Sequence, residues 1–261
     1  MALPRRIELG PVPVDTVTLI TALDRIEDLV AAGEGGAVFT PNVDHVVLAH
    51  ENPRLREAYA RSSLSLADGM PLLWTARALG TPLPEKVSGS DFVGPLLERA
   101  AARGWRVYFL GGGPGVAALA RDRTLERLPG LQIVGIDAPR IDVDESPEQR
   151  EPVVARVRAA KADLVLVGLG APKQELWIDQ VRSALEPAVL LGVGASLDFL
   201  AGTIPRAPRW MSRSGLEWLY RLGREPGRLW RRYLVRDPKF LLVMAPAVGR
   251  RWRGRGRSPE V

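Results

Sequence analysis

The sequence predicts an α/β fold: a Rossmann-like, doubly wound and mainly parallel sheet with a basic helical C-terminal appendage. Short β-rich runs alternate with long amphipathic stretches, which is the order that strand–helix–strand crossovers require. The β-rich runs are apolar almost throughout, as parallel strands buried on both faces are. With 261 residues, 46% of them apolar, the chain is long enough for one core domain and an appendage.

The predicted elements are short strands that end in loops rich in glycine, proline and polar residues. The strands cover 37–40, 64–67, 105–110, 131–136, 164–168 and 189–193. The crossover helices cover 42–60, 71–79, 91–103, 116–128, 147–161 and 174–185, and a polar loop covers 137–149. One body domain, residues 1–202, accommodates all of them.

The C-terminal segment, residues 203–261, differs from the body in charge. It contains 15 Lys or Arg against 4 Asp or Glu, a net charge of +11, whereas residues 1–202 carry −5. Four of the seven tryptophans also lie in it. Basic amphipathic helices are predicted at 212–224 and 228–235, with a disordered basic end at 250–257. Arginines mixed with indole rings favour contact with an anionic membrane surface.

Three other interpretations of this appendage stay open: packing on the body as core, an interface in a homo-oligomer, and nucleic-acid binding. Nucleic-acid binding is disfavoured because the body is acidic and no recognition module is readable. The first ten residues lack a signal-peptide pattern, and the most apolar tail segment, 240–248, is far shorter than the roughly 20 residues of a spanning helix. We therefore predict a cytoplasmic protein, peripheral on the inner face of the cell membrane.

Residue types exclude several kinds of site. The chain has no cysteine, which excludes disulfides and thiolate chemistry. His45 and His50 are five residues apart, the wrong spacing for two metal ligands on one helical face, and we predict that both lie on the surface. Because no His, Asp and Glu cluster shows metal-ligand spacing, no metal site is predicted.

The loops after the strands are predicted to converge on one crevice, because parallel strands all end at one edge of the sheet. Thr40 and Asn42 either bind a sugar or phosphate, or respectively end the strand and cap the helix. Asp68 follows the second strand on a sharp turn. It is either a general base for transfer to a hydroxyl acceptor or a cap of the next helix.

Two later loops carry glycines and charges. Gly111 and Gly112 open a helix, and their loop either holds a phosphate or diphosphate through its amides or is only a tight turn. Lys173 is predicted to neutralise a diphosphate leaving group. Glu175 is either a site residue beside Gln174 or a first-turn carboxylate that only compensates the helix dipole.

Several separated motifs, taken in order, resemble the WecG/TagA/CpsF glycosyltransferase family over nearly all of residues 12–236. They are Thr40-Pro-Asn-Val-Asp44, Ala67-Asp-Gly-Met-Pro71, Gly89-Ser-Asp91, Phe109-Leu-Gly-Gly112, Gly168-Leu-Gly-Ala-Pro-Lys-Gln174, Gly192-Val-Gly-Ala195, and Arg206-Ala-Pro-Arg-Trp210 through Gly215-Leu-Glu-Trp218. The resemblance implies a bacterial hexosyltransferase that uses a UDP-sugar, with no metal or other cofactor. It implies transfer of N-acetylmannosamine or a related hexose to a polyprenyl-diphosphate-linked sugar during cell-surface polysaccharide or teichoic acid synthesis.

The same resemblance implies roles for residues of this chain. Asp68 is the expected catalytic base, with Thr40 as its companion. The candidate substrate-binding residues, from the loops and the matched motifs together, are Asn42, Lys86, Asp91, Gly111, Gly112, Lys173, Gln174, Glu175 and Gly194. The appendage corresponds to the family's membrane-contacting segment, with Arg221, Arg228 and Arg231 expected at the diphosphate of the acceptor lipid.

Two other functions remain as alternatives. A Rossmann-type dehydrogenase is disfavoured because the GxGxxG fingerprint and the acidic ribose-binding residue are both missing. The second alternative is a non-catalytic peripheral membrane protein that binds a nucleotide-sugar or anionic lipid. It predicts binding without transfer.

Overall fold

The structure, a computed structural model, describes residues 4–255, with the side chains of residues 209, 213, 228 and 252–255 outside that description. Its strands are β1 (Arg6–Leu9), β2 (Val12–Asp15), β3 (Gly36–Phe39), β4 (Leu64–Ser65), β5 (Arg106–Gly111), β6 (Gln132–Asp137), β7 (Leu164–Gly168) and β8 (Val189–Gly192). The body helices are α1 (Leu19–Ala32), α2 (Val43–Glu51), α3 (Pro53–Ala60), α4 (Met70–Ala78), α5 (Gly89–Arg103), α6 (Val116–Arg127), α7 (Pro147–Ala159), α8 (Lys173–Val181) and α9 (Ser196–Ala201). The appendage has α10 (Arg209–Arg213), α11 (Glu217–Arg224), α12 (Pro226–Trp230), a π-helical turn (Arg231–Arg236) and α13 (Lys239–Arg255).

Strands β3 to β8 form one parallel sheet in the order β4-β3-β8-β7-β5-β6. Two apolar clusters cover its faces. One surrounds Phe39 and Trp177 beneath α2, α3 and α8, and the other surrounds Ile26 and Phe109 beneath α1, α5, α6 and α9. Helices therefore pack on both faces, which confirms the doubly wound, mainly parallel class. All six strands also end at one edge of the sheet.

The antiparallel hairpin of β1 and β2, like α1, is absent from the sequence-based prediction. Pro13 within β2 explains why this segment does not indicate a strand. Asp15 is 3% exposed, and it joins the two strands of the hairpin to each other and to β4 of the main sheet. Its carboxylate accepts two hydrogen bonds from Arg6, each 2.8 Å, and one of 2.7 Å from the amide of Ser65 in β4.

We expect Asp15→Asn to lower the free energy of unfolding by about 3 kcal/mol, because the amide cannot accept both bonds from Arg6 and leaves a half-buried guanidinium without its counterion. Urea denaturation measures the change. The control is Asp24→Asn. Asp24 is 42% exposed and Arg99 keeps its second partner, Glu27, so the loss of this pair is expected to cost less than about 1 kcal/mol. Equal costs for the two variants would contradict this account of the hairpin.

Two predicted helices are each divided in the structure. The helix predicted at 42–60 is α2 and α3, because Asn52 adopts an extended conformation and caps α3, whose first residue is Pro53. The helix predicted at 212–224 is α10 and α11, separated at Gly215, which has φ +75°.

Part of the appendage packs on the body. Phe240 and Met244 of α13 are 4% and 3% exposed and belong to the same apolar cluster as Val46 of α2. Other large apolar side chains of the appendage are exposed, among them Trp210, Leu234, Leu241 and Leu242. Within residues 4–255, no helix is both long and apolar enough to cross a bilayer.

The predicted domain boundary at residue 202 stays a prediction. Of the end that the sequence predicts to be disordered, residues 250–255 continue α13. Residues 256 and 257 lie outside the part of the chain that the structure describes.

Candidate active site

Two cavities open at the carboxyl edge of the main sheet and share a wall. The smaller has a volume of about 180 Å³ and is lined by the loops after β3, β7 and β8 together with helical residues of the body and the appendage. The larger, about 390 Å³, lies between the loop after β4 and the appendage. The residues that line both are Asn42, Asp68, Glu217, Arg221 and Arg232. The body contributes the first two and the appendage the other three, so the junction is built from both parts.

A third cavity, of about 620 Å³, lies at the opposite edge of the sheet, around Gly36, Ser63 and Glu186. Its lining mixes arginines with carboxylates and contains none of the predicted site residues. Ligands of open α/β sheets bind beyond the carboxyl ends of the strands. The two cavities at the carboxyl edge are therefore the candidate site, although the third is larger.

Asp68 lies at the junction of the two cavities. Its amide donates to the carbonyl of Pro41 at 2.8 Å, which joins the loop after β4 to the loop after β3. The N-cap of α4 is Gly69 and receives no side-chain cap, so Asp68 does not serve as that cap. Burial, with Glu217 adding to it, raises the pKa of Asp68 to about 6 against the opposing effects of Lys86, His45 and Arg221. Such a carboxyl is mostly ionised at pH 7 and is still basic enough to accept a proton.

Lys86 connects the body to the appendage at the larger cavity. Its Nζ lies 2.8 Å from a carboxylate oxygen of Asp91 and 4.0 Å from one of Glu217, and it donates to Ser212 at 3.0 Å. Burial lowers the pKa of Lys86, but Asp91, Asp68 and Glu217 together outweigh burial and raise it. The ammonium therefore stays charged at neutral pH. Asp91 lines neither cavity, and its contact with Lys86 makes it a support for that cation.

Thr40 and Asn42 both line the smaller cavity, and each also has a structural contact. The buried hydroxyl of Thr40 donates to the carbonyl of Gly192 at 3.0 Å, which joins the ends of β3 and β8. The side-chain oxygen of Asn42 accepts from the amide of Asp44 at 3.1 Å, so this residue caps α2. The same oxygen accepts from Arg232 of the appendage at 3.1 Å. Asn42 therefore caps α2 and also lines the candidate site.

Gln174 and Glu175 are adjacent in the first turn of α8 but lie in different surroundings. Gln174 lines the smaller cavity, and its oxygen accepts from the amide of Gly194 at 3.0 Å. Glu175 is fully buried, accepts from Gln174 at 2.7 Å and lies 3.3 Å from Nε2 of His45. Glu175 therefore fixes the side chain of Gln174 through this hydrogen bond and lines neither cavity itself.

The prediction that His45 lies on the surface is wrong. His45 is 5% exposed, whereas His50 is exposed as predicted. The imidazole is held in place because Nδ1 contacts Asn42 in the capping box of α2 and Nε2 faces Glu175. Its position at N3 of a helix capped by asparagine is the sequence signal that indicates this contact.

Gly111, Gly112 and Lys173 line neither cavity. Gly111 has φ +108°, and a Cβ there would lie 2.5 Å from the carbonyl oxygen of Gly168, so close approach of β5 to β7 requires glycine. The amide of Gly112 donates to the same carbonyl at 2.9 Å. Lys173 is exposed at the start of α8. A phosphate-binding role for these residues stays a prediction.

The three predicted arginines of the appendage lie in different places. Arg221 lines both cavities, with its guanidinium 6.0 Å from the ring centre of Phe199. Arg231 lines neither and lies over the ring of Trp230 at 5.3 Å. The side chain of Arg228 is outside the described part of the structure. The cation beside Asn42 is Arg232, which the sequence analysis does not single out.

Glu217 and Arg232 are thus site residues that sequence reasoning misses. Glu217 is the charged residue of the matched Gly215-Leu-Glu-Trp218 motif, and this place in the motif is the sequence signal that could have identified it. Arg232 follows another arginine, and only the local helical geometry decides which of the two faces the body. Within residues 4–255, no three His, Asp or Glu side chains are arranged to hold a metal ion.

Comparison with known proteins identifies a family and a related enzyme. A family model described as the glycosyl transferase WecG/TagA/CpsF family matches residues 7–255. The chain is 33% identical over 211 residues to the N-acetylglucosaminyldiphosphoundecaprenol N-acetyl-beta-D-mannosaminyltransferase of Bacillus spizizenii strain W23. That alignment covers 81% of this chain and 79% of the relative. The family match includes both the body and the described appendage.

Proposed function

This chain belongs to the WecG/TagA/CpsF glycosyl transferase family, and we propose that it transfers an N-acetylmannosamine-type hexose from a UDP-sugar to a polyprenyl-diphosphate-linked sugar. The family makes it a glycosyltransferase. The acceptor class follows from the name of the 33% identical relative, and the UDP donor from the resemblance of the motifs. The reaction needs no metal in this proposal, because cations of the protein neutralise the leaving group.

One observation carries the proposal: Asp68 lies at the junction of two cavities. A glycosyl transfer brings two substrates together at one carbon atom, and its base must reach the acceptor hydroxyl from beside that carbon. A carboxyl group with a pKa near 6 between two cavities meets both requirements.

We assign the smaller cavity to the donor sugar and its diphosphate. Thr40, Gln174 and the backbone of Gly194 give this cavity hydrogen-bonding groups that suit sugar hydroxyls. Arg221 and Arg232 lie at its border with the larger cavity, where negative charge develops on the departing diphosphate. Fixed cations stabilise that charge without reorganisation during the reaction.

We assign the larger cavity to the acceptor. Its apolar lining residues suit a lipid, and they include Val43, Met70, Pro71, Trp218, Phe240 and Leu241. Leu241 is 71% exposed and the next residue, Leu242, is 74% exposed, so this lining continues onto the surface. With the net charge of +11 in residues 203–261, this surface supports binding at the inner face of the cell membrane.

The proposed mechanism is a single displacement with inversion. Asp68 takes the proton of the acceptor hydroxyl while the acceptor oxygen forms a bond to the anomeric carbon from the face opposite the leaving group. The bond from that carbon to the diphosphate oxygen breaks, and UDP leaves with the electron pair. Arg221 and Arg232 stabilise the charge that UDP acquires.

The test is release of UDP from a panel of UDP-sugars, with and without a short-chain polyprenyl-diphosphate-GlcNAc acceptor. Release that depends on the acceptor, together with a product of inverted configuration, supports the proposal. UDP-sugar binding with no turnover on any acceptor favours instead a peripheral membrane protein that only binds its ligands.

The pH dependence of the reaction follows from the raised pKa of Asp68. The base acts when ionised, so we expect kcat/KM to be constant above about pH 6 and to fall about tenfold per pH unit below it. Replacing Glu217 with Gln removes a charge that raises this pKa, and the midpoint is expected to move to lower pH. Initial rates from pH 4.5 to 8 measure both profiles.

A second carboxyl group at the larger cavity, Asp237, also has a pKa of about 6, raised by burial. Burial, Arg232 and Asp44 have the largest effects on this pKa, so we expect the loss of Glu217 to change it little. A midpoint near 6 that does not move in Glu217→Gln would therefore assign the titration to Asp237 and contradict the role of Asp68.

A further inference from the structure

Asp44 is a buried carboxylate, and its two charge partners among the described residues both come from the appendage. It lies in the first turn of α2 and is 2% exposed. Its Oδ2 lies 3.3 Å from Nε of Arg232 and accepts a hydrogen bond of 3.1 Å from Nη2 of Arg236. Nε of Arg236 contacts the other carboxylate oxygen. The two arginines therefore hold both oxygens of one body residue.

The π-helical turn brings these two arginines together. They are four residues apart, so both side chains project from the same face of the turn, toward α2. Arg232 continues past Asp44 to the side-chain oxygen of Asn42 and lines both cavities. Arg236 lines neither cavity. Its contact with Asp44 is thus separate from any contact with substrate.

Because Asp44 is buried, the loss of either arginine contact is expected to be strongly destabilising. A carboxylate removed from water is unfavourable unless cations and hydrogen bonds compensate it, and removing one partner of a buried pair is strongly destabilising. The pair of Lys239 and Glu51 also joins α2 to the appendage, through α13, but it is about half exposed, so water screens it. Of these two connections between α2 and the appendage, the one at Asp44 is expected to dominate.

We infer that Asp44 is a positioning residue that seats the appendage on the body and thereby sets Arg232 at the junction of the two cavities. It contacts Arg232 and lines neither cavity itself. The kinetic part of this inference rests on the proposed function. The structural part, which is the seating of the appendage, does not.

The experiment compares Asp44→Asn, Arg236→Gln and the double variant with the full-length wild-type chain. The first readout is trypsin cleavage within residues 203–255, which contain many arginines. We expect cleavage to be about fivefold faster or more in each single variant, because a detached segment opens more often. Since both variants break the contact between Asp44 and Arg236, the double variant is expected to lie within about twofold of the more severe single one.

The second readout separates positioning from general stability. With the short-chain acceptor, we expect kcat/KM for the acceptor to fall about tenfold or more, while the affinity for UDP-sugar changes by less than about threefold. A merely structural role would lower both in proportion to the folded fraction. Glu51→Gln is the matched control, and we expect it to stay within about twofold of wild type in both readouts.

Wild-type cleavage rates and wild-type acceptor kinetics in Asp44→Asn and Arg236→Gln would overturn the inference, as would additive effects in the double variant. If Asp44→Asn fails to fold, Arg236→Gln still tests the contact, because its side chain is 38% exposed and leaves the core unchanged. If the wild-type chain transfers no sugar to any acceptor, the proposed function fails, and the cleavage arm still decides whether Asp44 seats the appendage.

Discussion

Replacing Asp68 with Asn is expected to lower kcat by about 10²–10⁴-fold, the range that loss of a general base produces. Asparagine has nearly the same shape and cannot take the proton of the acceptor hydroxyl. Donor binding should change little, because the smaller cavity keeps its other lining residues. Single-turnover transfer measures the loss, and equilibrium binding of the UDP-sugar shows whether the cavity is intact.

The informative comparison for this result is Asp237→Asn. Both carboxyl groups line the larger cavity and both have a pKa of about 6, but Asp68 alone of the two also lines the smaller cavity. We expect Asp237→Asn to cost less than about tenfold in kcat. A larger loss in Asp237→Asn than in Asp68→Asn would transfer the role of base to Asp237.

Replacing Arg221 with Gln is expected to lower kcat by about 10²-fold, comparable to the loss of one donor that stabilises developing negative charge. Arg221 lines both cavities beside Asp68 and is one of two arginines at this junction. Because the stabilised charge appears only as UDP departs, kcat should fall more than the affinity for the donor. Single-turnover rates with the short-chain acceptor, combined with donor titrations, separate the two quantities.

Arg224→Gln is the matched control for this prediction. Arg224 belongs to the same helix, α11, and carries the same charge, but its guanidinium lies over the ring of Tyr220 at 5.6 Å and lines neither cavity. We expect a change in kcat of less than about threefold. Equal losses in both variants would mean that the total positive charge of the appendage matters and the position of Arg221 does not.

The appendage thus takes part in the candidate site as well as in the proposed membrane contact. Glu217 acts on the pKa of Asp68, Ser212 accepts from Lys86, and Arg232 contacts Asn42. Each contact joins an appendage residue to a body residue. This arrangement provides a physical route by which seating of the appendage and activity are linked, and the Asp44 variants test it.

The body of the fold is largely predictable from local pattern. The six parallel strands overlap the six predicted apolar runs, because burial on both faces requires apolar residues in a strand. The edge strand β6, none of whose residues is buried, is the exception. The β1–β2 hairpin is missed because its strands are four residues long and one contains Pro13. Its stability comes from Asp15 and partners up to 50 positions away, which no local pattern reveals.

The sequence by itself determined the parallel α/β body, the convergence of the loops after β3, β4, β7 and β8, the position of Asp68 after β4 and the contrast in charge between body and appendage. Each of these depends on the order of residue types along the chain. Only the tertiary structure decided that His45 is buried against Glu175, that Glu217 acts on Asp68, and that Arg232 and not Arg231 reaches Asn42. These contacts join residues 130 to 190 positions apart in the chain. The first depends on how α2 and α8 pack in the body, the second on where α11 packs, and the third on the rotation of one π-helical turn against α2. Residue order alone specifies none of these.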